Sequence, residues 1–328
     1  MYNFCTLFDT HYLTRGLALY YSLKKNCNNF HLFIFAFNDK CYEILKKLSL
    51  TDVTLISLSE FESSELLKIK PTRSLAEYCW TSTSSTILYV LEKYKVGSCT
   101  YLDADMFFYS SPQPIFDELG NDSILITEHR YSPKYNKELR AGKYCVQFVT
   151  FKNDEFGLKT LKWWRERCIE WCFAKYEDGK FGDQLYLDDW TKRFERVHVL
   201  QHLGGGLAAW NVQQYNFSSE NGKVIGIEKS TGRKFDAIFY HFHYLRFFNN
   251  GEIELGRRIL SQNILNIFYK PYIHYLDEIK LKIAAINNSF DPHGSITKPA
   301  NWKTPILYVY RNLRGVYNIF DKQKFLES

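Results

Sequence analysis

The first hundred residues alternate between short apolar runs and longer amphipathic segments. Residues 4–8 and 31–37 are nearly continuous apolar runs, which is the pattern of strands buried on both faces. Residues 13–23 and 40–48 repeat apolar positions at helical spacing. Strands and helices that alternate in this way predict an α/β, Rossmann-like fold with a mostly parallel central sheet flanked by helices.

The pattern changes in the last third of the chain. The strongly aromatic residues 235–248 are predicted to form one strand, whereas residues 253–286 have helical spacing. A break in that helix is expected near Pro271, because proline lacks the backbone N–H and crowds the preceding turn. We therefore predict a main domain of residues 1–250 and a helical C-terminal extension of residues 251–328.

Two central segments bear on where a ligand binds. Residues 75–95 predict a long helix, although the Ser and Thr run at residues 81–86 would normally weaken it. Those hydroxyls are expected to face either another helix or the site. Residues 131–143 are polar and irregular, which predicts a mobile loop over a cleft.

Composition narrows the class of protein. Among 328 residues, 45% are hydrophobic and 24% are charged, as in soluble globular proteins, and no apolar run reaches membrane-spanning length. The net charge of +6 suits an anionic small molecule or an anionic membrane face and does not require nucleic acid. Eight scattered cysteines without Cys-x-x-Cys spacing argue against a zinc site and favour reduced thiols in a cytoplasmic protein. The N-terminus has no signal-peptide pattern.

Paired acids follow the strand predicted at residues 100–102. Asp103 and Asp105 are two positions apart, so in an extended chain both carboxylates point to one side. Like charges this close repel unless a cation lies between them, and oxygen ligands suit a hard divalent cation. The simpler interpretation is two solvated acids that cap a strand. Asp9 also follows a predicted strand, so all three acids belong at one edge of the sheet.

The segment Tyr101-Leu-Asp-Ala-Asp-Met-Phe-Phe resembles the metal-binding strand end of GT-A fold glycosyltransferases. It is closest to the retaining family-eight type and to related bacterial transferases. Three more stretches resemble that family in the same order: Thr6-Leu-Phe-Asp-Thr-His-Tyr, Phe181-Gly-Asp-Gln-Leu-Tyr-Leu-Asp-Asp-Trp and Phe239-Tyr-His-Phe-His. The resemblance covers about residues 1–250.

The resemblance implies a metal held by Asp103, Asp105 and His241. A mixed set of carboxylates and imidazole suits Mn²⁺ better than Mg²⁺, which remains the alternative. His243 lies on the same face if the strand is regular, and it is the other candidate ligand. A half-buried structural histidine is the simpler interpretation of either residue.

The resemblance also implies a nucleotide-sugar donor, expected to be a UDP-sugar. The expected donor-binding residues are Thr6, Phe8, Asp9, Tyr12, Ala104, His243 and Arg246. The helix before the acid pair lacks the arginine that the family often carries there, so Arg73, Arg15 or Arg246 is expected to replace it.

Asp183 and Gln184 are the catalytic candidates, because they match the family segment beside the sugar. Glutamine is no base at neutral pH, so its amide oxygen is expected to stabilise or position an oxocarbenium-like state. The pattern implies retention at the anomeric carbon. Asp183 is also a plausible N-cap of a helix, and both roles are compatible.

The sugar and acceptor pocket is expected to include Cys145, Gln147, Gly205 and Gly206. Cys145 stands where the family usually has asparagine, which separates this chain from the family pattern. The three glycines at residues 204–206 free the backbone for an unusual turn or for close approach to a ligand.

These features predict a metal-dependent glycosyltransferase of the hexosyltransferase type, acting on a glycan or lipid-linked acceptor in bacterial surface polysaccharide synthesis. The alternatives are a nucleotidyltransferase, a non-catalytic nucleotide- or glycan-binding module, and a structural α/β domain. Residues 308–325 are basic and aromatic, which predicts either peripheral contact with the inner face of an anionic membrane or a C-terminal helix packed on the domain.

Overall fold

The computed structural model describes residues 1–298 and 304–328. The strands are β1 (Tyr2–Phe8), β2 (Phe30–Ala36), β3 (Val53–Ser57), β4 (Ser98–Leu102), β5 (Met106–Phe108), β6 (Ile124–Glu128), β7 (Tyr144–Lys152), β8 (Val197–Val199), β9 (Leu207–Ala208), β10 (Tyr215–Glu220), β11 (Lys223–Glu228), β12 (Lys234–Asp236), β13 (Phe239–His241), β14 (Arg246–Phe247), β15 (Glu252–Glu254) and β16 (Ile319–Asp321).

The α-helices are α1 (Leu13–Asn26), α2 (Asp39–Leu48), α3 (Leu58–Phe61), α4 (Ser64–Ile69), α5 (Leu75–Tyr94), α6 (Gln113–Leu119), α7 (Glu138–Ala141), α8 (Glu155–Glu170), α9 (Trp190–Arg193), α10 (Gln262–Ile264), α11 (Lys270–Ala284), α12 (Thr304–Leu313) and α13 (Lys322–Glu327). Short 3-10 helices span Thr10–Tyr12, Lys70–Thr72, Pro133–Tyr135, Leu185–Asp189 and Val212–Gln214.

The central sheet has the strand order β3-β2-β1-β4-β7-β6-β8. Neighbouring strands are parallel except where β7 pairs with β4 and β6, so the predicted mostly parallel sheet is confirmed. β1 and β4 are parallel neighbours, with Phe4 opposite Thr100. Asp9 and Asp103, the residues that follow these strands, therefore lie at the same edge of the sheet.

Helices cover both faces of this sheet, as predicted. One apolar core lies under α1, α2 and α11, and the other lies under α5 and α8. The nearly unbroken apolar sequence of β2 reflects this double burial, because neither face of the strand meets water.

Helix α5 forms despite its Ser and Thr run. Ser74 and Glu77 make a reciprocal capping box at its start. The hydroxyls of Thr81 and Thr83 donate to the backbone carbonyls of Glu77 and Cys79 one turn earlier, so these two hydroxyls are satisfied within the helix. The small side chains of this run are buried against the sheet and α8.

The predicted strand at residues 235–248 is wrong as a single element. It is divided into β12, β13 and β14: residues 237–238 lie outside the strands, and the backbone then turns at His243 and at Tyr244, whose φ is 75°. The aromatic residues other than Tyr244 still pack inward, so their burial does not depend on one continuous strand.

The predicted helix at residues 253–286 is also different. It begins with strand β15, and the helix itself starts at Gln262. Pro271 does not break it: a π-helical turn at Leu265–Tyr269 joins α10 to α11, and Pro271 lies in the first turn of α11. Proline is tolerated in a first turn, where its missing N–H is not needed.

The C-terminal extension returns to the rest of the chain through β16, which pairs with β15, while β15 pairs with β14. Among the residues that the structure describes, no helix is both long and apolar enough to span a membrane. All eight cysteines are free thiols.

Candidate functional site

The acid pair and the late histidine meet through a second small sheet. The chain turns at residues 103–105 and enters β5, which pairs antiparallel with β13 so that Met106 lies opposite His241. The backbone N–H of Phe242 donates to the carbonyl of Asp105 at 2.9 Å. This pairing carries the histidine directly to the carboxylates, although the two are separated by more than 130 residues in the sequence.

His241 Nε2 lies 3.1 Å from Asp105 Oδ1 and 3.6 Å from Asp103 Oδ2. The carboxylates converge because the chain turns, with Met106 N–H donating to Asp103 O at 3.2 Å, and not because of a strand pleat as expected. Ligand atoms of Asp105, His241 and His243 lie within 4.8 Å of one another. The structure thus brings both candidate histidines to the acids.

Electrostatics at this point favour a cation. Burial by itself lowers the pKa of His241, but Asp105 and Asp103 outweigh that effect and raise the pKa well above its usual value. Two carboxylates held this close in a buried site demand positive charge, and the imidazolium supplies it in the protein alone. The ligand atoms that lie together come from the Asp105 carboxylate and two imidazoles, and the Asp103 carboxylate lies 3.6 Å from His241 beside them. A mixed carboxylate and imidazole set suits Mn²⁺, so the residues present fit such an ion.

Gln147 fixes the orientation of the His241 ring. Its Oε1 lies 2.8 Å from His241 Nδ1, so that nitrogen donates and Nε2 faces the acids. Gly206 lies next to the Gln147 amide and has a φ of 98°. A Cβ at this position would be 3.2 Å from Gln147 Nε2. Gly206 therefore leaves room for the Gln147 amide and does not itself reach the cavity.

Asp183 and Gln184 lie across the same cavity. Trp164 Nε1–H donates to the backbone carbonyl of Asp183 at 2.9 Å, and the Asp183 side chain is only 6% exposed. Burial raises the pKa of Asp183 to about 8, and the charge of Asp103 acts in the same direction.

The side-chain amide of Gln184 donates to the carbonyl of Ala141 in the loop over the cavity. The 3-10 helix that follows has no side-chain cap, so the N-cap role of Asp183 is not observed.

The first turn of the chain borders the site. Asp9 Oδ1 accepts a hydrogen bond from His11 N at 2.9 Å and so caps the 3-10 helix Thr10–Tyr12. Tyr12 lines the cavity, and the Arg15 guanidinium lies 4.6 Å from the centre of its ring. Arg15 is buried and donates to the carbonyls of His11, His293 and Leu245.

One cavity of about 650 Å³ joins these groups. Eight of the residues predicted from the sequence line it: Tyr12, Asp103, Cys145, Asp183, Gln184, His241, His243 and Arg246. Asp105 and Gln147 lie behind them and contact His241.

Other predicted residues lie outside the cavity lining. Thr6, Phe8 and Ala104 are buried, and the Phe8 ring fills the space beside Gly16. Gly205 packs close to Leu200. Arg73 stacks on Phe173, 3.9 Å from the ring centre, so Arg246 is the arginine among the three candidates that reaches the cavity.

Sequence reasoning missed several lining residues. Trp210 and Tyr131 form an aromatic wall, while Lys137, Arg257 and Arg258 add positive charge. The adjacent arginines after a glycine were a visible signal, because consecutive basic residues beside a turn are typical of anion contacts. Nothing in the local sequence marked Trp210.

Comparison with other proteins identifies relatives along nearly the whole chain. It is 30% identical over 305 residues to the uncharacterized protein YfnD of Bacillus subtilis strain 168, covering 90% of this chain and 96% of YfnD. It is 33% identical over 281 residues to the uncharacterized protein YfnF of the same organism, covering 83% of this chain and 89% of YfnF. No protein-family model matches the chain.

Among solved structures, the crystal structure of an active-site mutant of LgtC superposes with a TM-score of 0.50 at 9% identity, covering 84% of this chain and 95% of LgtC. A second structure describes LgtC as a galactosyltransferase in complex with donor and acceptor sugar analogues, and it superposes with a TM-score of 0.49. The likeness confirms the predicted GT-A fold. The chain therefore has the GT-A fold and belongs to the same protein family as YfnD and YfnF of Bacillus subtilis.

Proposed function

We propose that this protein is a metal-dependent glycosyltransferase of the hexosyltransferase type. It moves a sugar from a nucleotide-diphosphate donor, a UDP-sugar, to a glycan or lipid-linked acceptor. The observation that carries the proposal is the approach of His241 Nε2 to Asp105 and Asp103, at 3.1 and 3.6 Å, on the wall of a cavity that also holds Asp183. LgtC, which shares the fold, is a galactosyltransferase.

The metal ligands in this proposal are Asp103, Asp105 and His241, with His243 beside them. When bound there, Mn²⁺, or Mg²⁺ in its place, neutralises the charge that develops on a departing nucleoside diphosphate. Arg246 lines the same side of the cavity and adds a fixed positive charge for the diphosphate. Tyr12 offers a ring face to the nucleoside.

Asp183 and Gln184 face the sugar in this proposal. The Gln184 amide nitrogen is bonded to Ala141 O, which leaves its amide oxygen for the anomeric centre. That oxygen stabilises developing positive charge without taking a proton. Trp164 holds the backbone of Asp183 and so keeps both residues in position.

We also propose that residues 1–250 carry the chemistry and that residues 251–328 support it. His293 in the extension donates or accepts a hydrogen bond with Thr14 at 3.1 Å, and its carbonyl accepts from Arg15 at 2.8 Å. The extension thus contacts the helix that follows the donor turn.

The C-terminal end is proposed as a peripheral contact with an anionic membrane. Two of its basic residues are already engaged, since Arg311 pairs with Glu254 and Lys322 pairs with Asp277. Four apolar or aromatic side chains of α12 are exposed, those of Tyr308, Val309, Tyr310 and Leu313. The proposed pathway is surface polysaccharide synthesis in a bacterium, at the cytoplasmic face of the membrane.

The test is a screen of nucleotide sugars with and without Mn²⁺, measuring release of the nucleoside diphosphate. We expect turnover with at least one UDP-sugar, and a loss of about a hundredfold or more in Asp105→Asn, which removes one anionic ligand and keeps its shape. Asp52→Asn, at an exposed turn with φ of 60°, is the matched control and should keep full activity.

Other outcomes separate the alternatives. Binding of nucleotide sugars without turnover favours a non-catalytic module. Release of pyrophosphate from a nucleoside triphosphate and a sugar phosphate favours a nucleotidyltransferase. Turnover that is equal with EDTA and in Asp105→Asn contradicts the metal-dependent mechanism.

A further inference from the structure

Positive side chains on the cavity form two groups. Arg246 lies 5.0 Å from the centre of the Tyr244 ring and 3.9 Å from Glu254, and in the function proposed above it serves the donor diphosphate. Lys137, Arg257 and Arg258 form a second group, which we call the basic rim. In the described parts of the chain, residues 1–298 and 304–328, none of these three side chains forms an ion pair with a carboxylate.

The charges of the basic rim are close enough to influence one another. Partial desolvation lowers the pKa of Lys137, and Arg258, Arg140 and Arg257 lower it further. Because these three arginines disfavour the charged form of Lys137, this corner of the cavity holds more positive charge than the protein itself neutralises.

The segment that carries the two arginines is held at its backbone. The side chain of Asn318 donates to the carbonyls of Gly256 and Arg258, at 3.2 and 2.6 Å. Gln213 donates to the carbonyl of Ile259 at 2.9 Å. With these carbonyls satisfied, the arginine side chains are presented from a fixed backbone and not from a free loop.

The loop at residues 131–143 meets this segment from the other side. The backbone N–H of Ile259 donates to the Tyr135 hydroxyl at 2.8 Å, and the Arg258 guanidinium lies 4.8 Å from the Tyr135 ring centre. Lys137, two residues after Tyr135, is thereby brought to the same corner as the arginines.

An aromatic wall lies in the same cavity. Trp210 Nε1–H donates to the carbonyl of His129 at 2.9 Å, which fixes the indole ring. The His129 ring stacks on Tyr131 with 4.6 Å between centroids. Fixed aromatic faces next to polar groups suit the apolar face of a sugar ring.

From these features we infer that the basic rim and the Trp210 wall form the acceptor subsite, and that the acceptor is an anionic sugar carrying a phosphate or a carboxylate. The inference rests on the glycosyltransferase function proposed above and names its acceptor class. Guanidinium groups bind both anions through paired N–H donors, and an anion here neutralises charges that the protein leaves unpaired.

The donor diphosphate has positive partners other than the basic rim. The metal site at the acid and histidine cluster and the Arg246 guanidinium both meet its charge. Arg246 lies near that cluster, because Arg246, Asp105 and Asp103 all act on the pKa of Tyr12. Lys137 belongs to the loop whose Ala141 carbonyl accepts from Gln184, on the sugar side of the cavity. The rim therefore adjoins the donor group, since Arg258 acts on the pKa of His243, and it reaches the sugar side of the cavity through Lys137.

The test measures binding of glucose 6-phosphate, glucuronate and glucose by calorimetry to the full-length protein in EDTA, which keeps the metal site out of the measurement. We expect both charged sugars to bind about tenfold or more tightly than glucose. That preference should disappear in Arg257→Gln/Arg258→Gln and persist in Lys134→Gln, an exposed residue of the same loop that does not line the cavity.

Two results overturn the inference: equal binding of all three sugars by the wild type, or an unchanged preference in Arg257→Gln/Arg258→Gln. A preference abolished by Arg246→Gln and not by the rim variant also overturns it, because the anion then occupies the donor side. Hydrolysis of the nucleotide sugar in Mn²⁺ is measured in parallel, and a raised KM for the donor in the rim variant also overturns the inference, because the rim then holds the donor diphosphate. If the wild type hydrolyses no nucleotide sugar, the glycosyltransferase proposal fails, while the sugar-binding result still decides the anion subsite separately.

Discussion

Gln147 Oε1 lies 2.8 Å from His241 Nδ1, and this hydrogen bond sets which nitrogen of His241 faces the acid pair. Gln147 belongs to β7 and His241 to β13, so two different sheets cooperate in one imidazole orientation. Partners of this kind behind a metal-binding histidine typically change metal affinity by about 10- to 100-fold when removed.

Gln147→Leu should therefore weaken Mn²⁺ binding by about tenfold or more, because the leucine cannot accept the Nδ1 proton. Gln147→Glu keeps an acceptor at this position and should stay closer to the wild type. Calorimetric titration with Mn²⁺ measures both variants. An unchanged dissociation constant in Gln147→Leu would mean that this hydrogen bond does not orient the ligand.

The two histidines should differ in what they contribute. His241→Ala should weaken the response of turnover to Mn²⁺ concentration, because its Nε2 is the nitrogen nearest both carboxylates. His243→Ala should mainly raise the KM for the donor, as expected for a hydrogen-bond donor to the diphosphate or sugar. Steady-state kinetics at varied Mn²⁺ and varied donor distinguish the two. The reverse pattern would assign the metal to His243 and shift the family alignment by two residues.

The reaction is expected to retain the anomeric configuration. Asp183 and Gln184 match the retaining pattern, and the Gln184 amide cannot serve as a general base. Proton NMR of the newly formed linkage gives the configuration directly, and an inverted anomer contradicts the assignment.

The packing within the C-terminal extension should depend on pH through Asp277, which pairs with His293 and Lys322 of the same extension. Burial disfavours its charged form, but hydrogen bonds from His293 and Lys322 outweigh that effect and hold its pKa below the usual range. A carboxylate with a lowered pKa stabilises the fold at pH values above its unfolded pKa of about 3.9, and this contribution is lost as the pH falls through the folded value.

Asp277→Asn should thus lower the free energy of unfolding at pH 7 by roughly 1–3 kcal/mol. The difference from the wild type should shrink below about pH 4, where the carboxyl of the unfolded chain takes up a proton and the folded carboxyl, whose pKa is lower, still does not. Urea denaturation at both pH values measures the effect, and Glu278→Gln, on the exposed side of the same helix, is the control. A difference that is equal at pH 7 and pH 3 would exclude the charge as its cause.

Membrane contact should depend on the exposed apolar and aromatic side chains of α12. Tyr308→Ser/Val309→Ser/Leu313→Ser removes apolar side chains that are exposed, with Leu313 84% exposed, so the fold should survive. The wild type should sediment with vesicles containing phosphatidylglycerol and the variant should not. Equal sedimentation of both proteins, or none of either, rejects the membrane role and leaves a helix packed on the domain.

The sequence by itself determined the elements that local chemistry dictates. The apolar runs of β1 and β2 are typical of strands covered on both faces, and the pattern of residues 75–95 predicts helix α5. Parallel strands end at one edge of a sheet, so the neighbourhood of Asp9 and Asp103 followed from the alternation of strands and helices alone.

Only the tertiary structure decided how the site is completed. Strand pairing between β5 and β13 carries His241 to Asp105, and a turn at Tyr244 replaces the expected continuous strand. The π-helical turn ahead of Pro271 depends on packing around it, which no local proline rule predicts. Arg258 and Lys137 meet through separate backbone contacts of two distant segments. Contacts of this kind join residues that are far apart in the chain. No short stretch of sequence therefore predicts them.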